Sequence, residues 1–97
     1  MSAYFVVSVE INEQSNQQDY DKYIDKVVPI VEKYGGEYLV RSNLITPLSD
    51  NWKPDRMIII RFDSKQQIFD WLNSEEYKNI ADYRINSVIS NAVIIEN

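Results

Sequence analysis

The stretch RMIIIRF, residues 56–62, decides the fold of this protein. β-Branched and aromatic residues dominate it, which predicts a β-strand. Successive side chains of a strand point to opposite faces of a sheet. One face of this strand therefore carries Ile58, Ile60 and Phe62, and the other carries Met57 and Ile59. Because both faces are apolar, the sheet that contains this strand needs a cover on each side.

Three other segments have the composition of strands. They are residues 3–10 (AYFVVSVE), 37–46 (EYLVRSNLIT) and 92–96 (AVIIE). The last of them is also apolar on both faces. Residues 47–54 lie between the second and third strands and begin and end with proline, which predicts a turn or hairpin loop.

Apolar residues recur every three or four positions across residues 20–34, which predicts an amphipathic helix. They are Tyr20, Ile24, Val27, Val28, Val31 and Tyr34. Pro29 falls inside this segment and lacks an amide proton, so we expect a kink near residues 25–28. Gly35 and Gly36 supply the left-handed residue that commonly ends a helix.

Two start signals divide the helical segment after residue 62. Ser64, with Gln67 three residues later, is a capping-box pattern. Ser74, followed by two glutamates, predicts a second N-cap with favourable charges in the first turn. Helical spacing continues to Val88, so we expect two helices in this region.

The predicted order along the chain is strand, helix, strand, strand, helical region, strand. This β-α-β-β-α-β order is ferredoxin-like: an α+β sandwich in which helices cover one face of an antiparallel sheet. Ninety-seven residues with few glycines and prolines predict a single domain over residues 1–97. Since the helices cover only one apolar face, we expect a homodimer whose two copies pack sheet to sheet.

The composition excludes several classes of site. The chain has no cysteine and no histidine, which removes disulfides, Ser-His-Asp triads and the usual ligands of zinc, iron and haem. We therefore expect no cofactor and no metal, although a carboxylate site for Mg²⁺ or Ca²⁺ stays open. A net charge of −5 opposes phosphate backbones, so nucleic acid is not an expected partner.

Two features bear on location. The first residues carry no basic segment, and the longest apolar runs are residues 5–7 and 57–60. These runs are far shorter than a membrane span. We expect a cytoplasmic protein with no membrane partner.

Four spaced motifs resemble those of one protein family. They are YGGEYLVR at residues 34–41, WKPDR at 52–56, FDS at 62–64 and WLNSEEY at 71–77. These stretches are similar to segments of the DUF1330 family, small proteins of unknown function. The resemblance covers nearly the whole chain and implies the dimeric α/β-barrel fold. It also implies a relation to the wider superfamily, which includes cofactor-independent monooxygenases and isomerases.

Three arginines are the first candidates for a ligand site. Arg41 and Arg56 lie on predicted strands, where apolar neighbours limit solvent, and Arg84 lies in the last helical segment. A guanidinium group suits recognition of a carboxylate or phosphate, which predicts a small anionic ligand. The alternative is structural, because arginines at strand ends commonly pair with Asp or Glu or cap a dimer rim, and the chain has 15 such acids.

Aromatic side chains are the second candidates, since a planar aromatic ligand stacks well on them. Tyr38 and Trp52 are the residues that we expect in a pocket at the dimer seam, with Trp52 in the loop before Pro54. Trp71 and Tyr77 lie at helical core spacing, which favours a packing role.

Two functions fit these observations. One is a small-molecule enzyme or binder, with its pocket between the helices and the sheet or at the dimer seam. In it, Arg41 or Arg56 polarises a carbonyl or enolate by hydrogen bonding. The other is a non-catalytic homodimer that binds a metabolite or a protein partner. Residue types and spacing leave both open.

Overall fold

The computed structural model describes residues 2–11, 17–85 and 88–97. Its strands are β1 (Ala3–Glu10), β2 (Glu37–Ser42), β3 (Arg56–Phe62) and β4 (Ile89–Glu96). Its helices are α1 (Gln17–Lys33), α2 (Lys65–Leu72) and α3 (Glu75–Ile85). The order β1-α1-β2-β3-α2-α3-β4 confirms the predicted β-α-β-β-α-β arrangement with a divided second helical region.

The four strands form one antiparallel sheet in the order β2-β3-β1-β4. β1 lies inside the sheet, where Val6 pairs with Ile59 of β3 and with Val93 of β4. β2 pairs with the other edge of β3 and has an irregularity between Tyr38 and Val40. The sheet and its helices confirm the ferredoxin-like α+β fold.

The core lies between the sheet and the helices. The buried residues of β3 are Ile58, Ile60 and Phe62, the face that strand alternation groups together. The Trp71 ring, 1% exposed, stacks on Phe62 with centroids 5.8 Å apart and meets Phe5 of β1 edge-on at 5.1 Å. Trp71 therefore joins α2 to both inner strands.

The opposite side of the sheet, here called the outer face, is mostly apolar. Its apolar side chains include Tyr4, Val6, Met57, Ile59, Val93 and Ile95, and the same strand register places Ser8, Arg61 and Asn91 on this face. Val93 is 58% exposed and Ile95 is 51% exposed. The helices pack on the other side, so the outer face of one chain meets solvent.

β2 is shorter than predicted. It ends at Ser42 rather than at residue 46. The reason is its partner strand: Ser42 pairs with Met57, and β3 begins only one residue earlier, at Arg56. Residues 43–46 thus have no strand to pair with and belong to the loop.

β4 is longer than predicted and begins at Ile89 rather than at residue 92. Ile89 pairs with Glu10, the last residue of β1, so β4 extends along the whole of its neighbour. α3 ends at Ile85, and Val88 lies in the connection to β4 instead of continuing the helix. Pairing with β1 therefore determines where β4 begins, and the helical spacing of apolar residues up to Val88 does not extend α3 to that residue.

α1 continues through Pro29 without interruption. Pro29 and Asp25, the residue whose carbonyl loses its amide partner, are both exposed, so water can satisfy that carbonyl. The expected kink near residues 25–28 stays a prediction. Gly35 follows the helix with a φ of 89°, as predicted for its end.

Among the described residues, no helix combines the length and apolar composition needed to cross a bilayer.

Both predicted helix starts are confirmed. Ser64 Oγ accepts a hydrogen bond from the Gln67 amide at 3.3 Å. Ser74 Oγ accepts from the Tyr77 amide at 3.1 Å and donates to the Trp71 carbonyl at 2.7 Å. Ser74 thus links the end of α2 to the start of α3.

Gly36 packs directly against the core. A Cβ at this position would lie 2.5 Å from Val31 Cγ1 and 2.8 Å from Phe62 Cζ, and both side chains are fully buried. We expect Gly36→Ala to lower the free energy of unfolding by about 1–3 kcal/mol, because the core must shift to admit the methyl group. Urea unfolding measures this, with Asn43→Ala in the exposed loop as a control within about 0.5 kcal/mol of wild type. A Gly36→Ala protein as stable as wild type would contradict this packing.

Candidate functional site

A cavity of about 250 Å³ lies between the sheet and the helices. Its sheet wall is mostly apolar and includes Phe5, Val7, Val9, Ile58, Ile60 and Ala92. The rest of the lining consists of Ile24, Val27 and Leu72 and of six side chains with polar tips: Tyr20, Tyr23, Tyr38, Trp71, Tyr77 and Arg84. An apolar cavity of about 150 Å³ already admits benzene, so this one has room for an aromatic ring and its substituents.

Three arginines converge beside this cavity, around Tyr20. Arg56 Cζ lies 5.8 Å from the centre of the Tyr20 ring, and Arg41 Cζ lies 5.5 Å from the centre of the Tyr38 ring. Arg84 lines the cavity and is the third arginine whose charge acts on the Tyr20 hydroxyl. We call Arg41, Arg56 and Arg84 the arginine cluster. The structure thus brings together these three residues and Tyr38, four of the five side chains proposed from the sequence.

The strand register explains why the arginines meet. Residues paired across antiparallel strands share a face of the sheet. Arg41 pairs with Ile58, and Arg56 pairs with Val9, so both arginines lie on the helix side of the sheet. Arg84 reaches the same place from the last turn of α3.

Neither Arg41 nor Arg56 forms an ion pair with a carboxylate in the part of the chain that the structure describes. Arg56 Nε is buried, and no described residue accepts a hydrogen bond from it. Arg84 differs, because its Nη1 donates to the Ser90 hydroxyl. Within the described residues, pairing with acids therefore does not account for Arg41 and Arg56. Arg56 is half-buried as expected, whereas Arg41 is exposed, because β2 is an edge strand of the sheet.

Trp52 lies apart from the cavity. It belongs to the loop between β2 and β3, is 52% exposed and forms an isolated strand-like bridge with Ser49. Trp71 and Tyr77, assigned above to packing, line the cavity instead, with ring centroids 5.0 Å apart. These two rings pack in the core and form the cavity wall at the same time.

Tyr20 and Tyr23 are cavity residues that the sequence reasoning did not propose. Both lie on the buried face of α1, where Tyr20 is 2% and Tyr23 is 7% exposed. Helical spacing alone does not separate a core residue from a cavity residue, because both face inward. One signal was available: two hydroxyls on an otherwise apolar helix face need hydrogen-bond partners or a polar ligand.

Three of the cavity tyrosines, Tyr20, Tyr23 and Tyr38, have raised pKa values. Burial raises the pKa of Tyr20 above its usual 10.0, and the charges of Arg56, Arg41 and Arg84 lower it in part. Burial also raises the pKa of Tyr38 to about 12. Burial and the neighbouring Tyr77 hydroxyl raise the pKa of Tyr23. At neutral pH these phenols are hydrogen-bond donors and not bases.

Two further buried donors at the site have no hydrogen-bond partner among the described residues. They are the Tyr20 hydroxyl and the Trp71 indole Nε1. The Tyr23 hydroxyl instead donates to the Tyr77 hydroxyl, with the two oxygens 3.3 Å apart. The described ranges 2–11, 17–85 and 88–97 contain no group of three or more acidic side chains placed to hold a metal ion.

The family comparison agrees with the motifs of the sequence. A model of the family described as Domain of unknown function (DUF1330) matches residues 2–97. A comparison with curated proteins finds no match. The family match covers nearly the whole chain and so confirms the resemblance.

Solved structures share the fold at low sequence identity. A protein of unknown function from Rhodopseudomonas palustris has a TM-score of 0.81 and 16% identity, over 99% of this chain and 82% of that one. SnoaB, a cofactor-independent oxygenase from Streptomyces nogalater, has a TM-score of 0.72 and 8% identity, over 99% and 92%. A dimeric protein of unknown function with a ferredoxin-like fold from Bacteroides fragilis has a TM-score of 0.59 and 8% identity, over 99% and 96%. At these identities the likeness establishes a common fold alone.

Tyr38 provides a test of the site in alkali. Its raised pKa means that the folded chain holds this proton more tightly than the unfolded chain, whose tyrosines titrate near pH 10. The contribution of the Tyr38 proton to the stability of the folded chain is fully present below about pH 10, and it is lost as the pH rises through about 12. We expect urea midpoints between pH 9 and about 12 to fall less steeply for Tyr38→Phe than for wild type. Parallel curves for the two proteins would contradict a buried Tyr38 hydroxyl.

Proposed function

This chain belongs to the DUF1330 family, and on that premise we propose that it binds a small molecule with an aromatic body and one anionic group. The body occupies the cavity, and the anionic group lies against Arg41 and Arg56. One observation supports this most directly: two arginines stand beside an apolar cavity, and no described carboxylate pairs with either of them. Guanidinium groups bind carboxylates and phosphates with paired hydrogen bonds.

The charge distribution supports an anionic group at this position. The whole chain carries a net charge of −5, yet three positive side chains meet at one place. Tyr20 and Tyr38 lie under two of the guanidinium groups, which holds those groups in place without neutralising their charge. An anion is repelled by most of the surface and attracted to the arginine cluster.

The size and lining of the cavity also support ligand binding. Its volume of about 250 Å³ exceeds the roughly 150 Å³ that admits benzene. Mostly apolar walls with a few polar groups are typical of small-molecule sites.

The cavity side chains favour a particular kind of chemistry. Protonated tyrosines and arginine charge polarise a ligand oxygen, whereas no carboxylate lines the cavity in the described residues. A cofactor-independent enzyme acting on an acidic ligand is the catalytic form of this function, and SnoaB, which has the same fold, is a cofactor-independent oxygenase. A non-catalytic metabolite-binding module is the alternative form. Turnover of a bound ligand distinguishes the two.

Homodimerisation is the second part of the proposed function. The outer face exposes Val93 and Ile95 by more than half, and a contiguous apolar face of this kind is unusual on a soluble monomer. The Bacteroides fragilis protein of the same fold is described as dimeric. Both points support two copies of this chain that pack through their outer faces.

Tryptophan fluorescence gives a direct assay of cavity occupancy. The chain has two tryptophans; Trp71 lines the cavity and Trp52 is exposed, so the Trp52→Phe protein reports from the cavity alone. In that background we expect 4-ethylbenzoate to bind more tightly than ethylbenzene, because only its carboxylate reaches the arginine cluster. Arg56→Gln should weaken 4-ethylbenzoate binding at least about tenfold, the effect of a lost hydrogen bond between charged groups of roughly 1.5–3 kcal/mol.

Arg61→Gln is the matched control for this experiment. Arg61 also lies on β3 but faces away from the cavity, 3.4 Å from Asp63. The Arg61→Gln variant should leave the affinities for 4-ethylbenzoate and ethylbenzene unchanged. The proposed function fails if wild type binds neither compound at millimolar concentration, or if the two arginine variants lose 4-ethylbenzoate equally.

Light scattering on a sizing column tests the dimer. We expect wild type at micromolar concentration to have twice the mass of one chain. Val93→Asp places a charge midway along β4 on the outer face and should give the monomer mass, because burying an unpaired carboxylate is costly. Phe69→Asp is the control, since Phe69 is 42% exposed on α2, in the helix layer, and should leave the dimer intact. A wild-type monomer, or a dimer that survives Val93→Asp, overturns this arrangement.

A further inference from the structure

Tyr23 and Tyr77 form a hydroxyl pair in the wall of the cavity. Tyr23 comes from α1 and Tyr77 from α3, and each is only 7% exposed. Their hydroxyl oxygens lie 3.3 Å apart, and both side chains line the cavity. Two helices that are distant in sequence therefore place two phenol hydroxyls next to each other in the cavity wall.

The hydroxyl pair has unused hydrogen-bonding capacity. Two hydroxyls carry two protons, and the bond between them uses one, so one donor is left over. The 3.3 Å separation also exceeds the roughly 2.7–2.8 Å that is usual between hydroxyl oxygens, which makes their mutual bond weak. An acceptor that entered the cavity could thus receive hydrogen bonds from the pair at little cost.

The surroundings hold this pair in place and keep the Tyr23 hydroxyl protonated. The Tyr77 ring meets Trp71 at 5.0 Å, and the Tyr23 ring stacks beside Tyr20 at 6.3 Å, so neither phenol can easily turn away. Burial raises the pKa of Tyr23, which keeps its hydroxyl a donor. Arg84, which also lines the cavity, adds a positive charge that acts on Tyr23. Donors fixed in an apolar site with positive charge nearby suit an oxygen that carries negative charge.

We propose that the Tyr23–Tyr77 hydroxyl pair donates hydrogen bonds to one oxygen of the ligand. This inference rests on the proposed function and narrows it. The ligand is then a compound whose ring system bears an oxygen on a conjugated carbon, as in a phenol, an enol or an aryl ketone. Its anionic group lies at Arg41 and Arg56, and its conjugated oxygen lies at the tyrosine pair.

The double variant Tyr23→Phe/Tyr77→Phe tests the role of the pair. Replacing both partners of a buried hydrogen bond by apolar groups of the same shape is nearly neutral for stability, so this protein should fold. We expect the Trp52→Phe protein, which keeps both tyrosines, to bind 4-ethylphenol more tightly than ethylbenzene. The double variant should lose about tenfold in affinity for 4-ethylphenol and stay within about twofold for ethylbenzene.

The outcomes separate the two proposals. If both compounds bind wild type and the double variant binds 4-ethylphenol as tightly as wild type, the hydroxyl pair is only a core hydrogen bond and this inference is overturned. The binding function then still stands. If neither ethylbenzene nor 4-ethylphenol binds wild type, the cavity is not a ligand site and the proposed function itself fails.

A second measurement needs no change at the tyrosines. The infrared carbonyl band of 4-methylacetophenone bound to wild type should lie at lower wavenumber than in an apolar solvent, because hydrogen bonding weakens the C=O bond. The same band in Arg56→Gln should be unchanged from wild type, since the inferred donors are the tyrosines. A bound carbonyl at its apolar-solvent position, or a shift that disappears in Arg56→Gln, overturns the inference.

Discussion

The packing of Trp71 is the interaction on which the rest of the structure depends. Its ring stacks on Phe62, meets Phe5 edge-on and meets Tyr77 at 5.0 Å, so it touches both inner strands and the third helix. Because this ring lies between Phe62 and Tyr77, it sets the spacing of the sheet and α3 at that point. Ser74, which accepts from the Tyr77 amide and donates to the Trp71 carbonyl, fixes the turn between α2 and α3 beside it. The cavity borders this cluster of rings and takes its shape from them.

The sheet divides the molecule into two apolar sides of different character. On the helix side, large rings and Arg84 line a cavity, and Arg41 and Arg56 lie beside it. On the outer face, aliphatic side chains such as Val93 and Ile95 make a surface that suits another sheet. The same alternation of β3 supplies both sides, since its odd and even residues point in opposite directions. A change of register by one residue would exchange the cavity wall and the outer face.

Much of the fold could be predicted because its signals are local. β1 and β3 have the predicted bounds, since alternation and β-branched composition within each strand are enough to mark them. The two helix starts at Ser64 and Ser74 were also predictable, because an N-cap needs only the residue three positions later. Residue type alone indicated Arg41 and Arg56 as site candidates. The element order and the apolar outer face followed from the same patterns.

The sequence by itself thus determined the order of elements, the helix caps, the two apolar sides of the sheet and the chemical types available for a site. Only the tertiary structure decided the lengths of β2 and β4, because a strand extends as far as its neighbour offers partners. Tertiary structure likewise left Trp52 on the surface and brought Tyr23 and Tyr77, 54 positions apart, within 3.3 Å. Such contacts arise from how helices cross a sheet, and neither spacing nor residue type within one segment records that crossing.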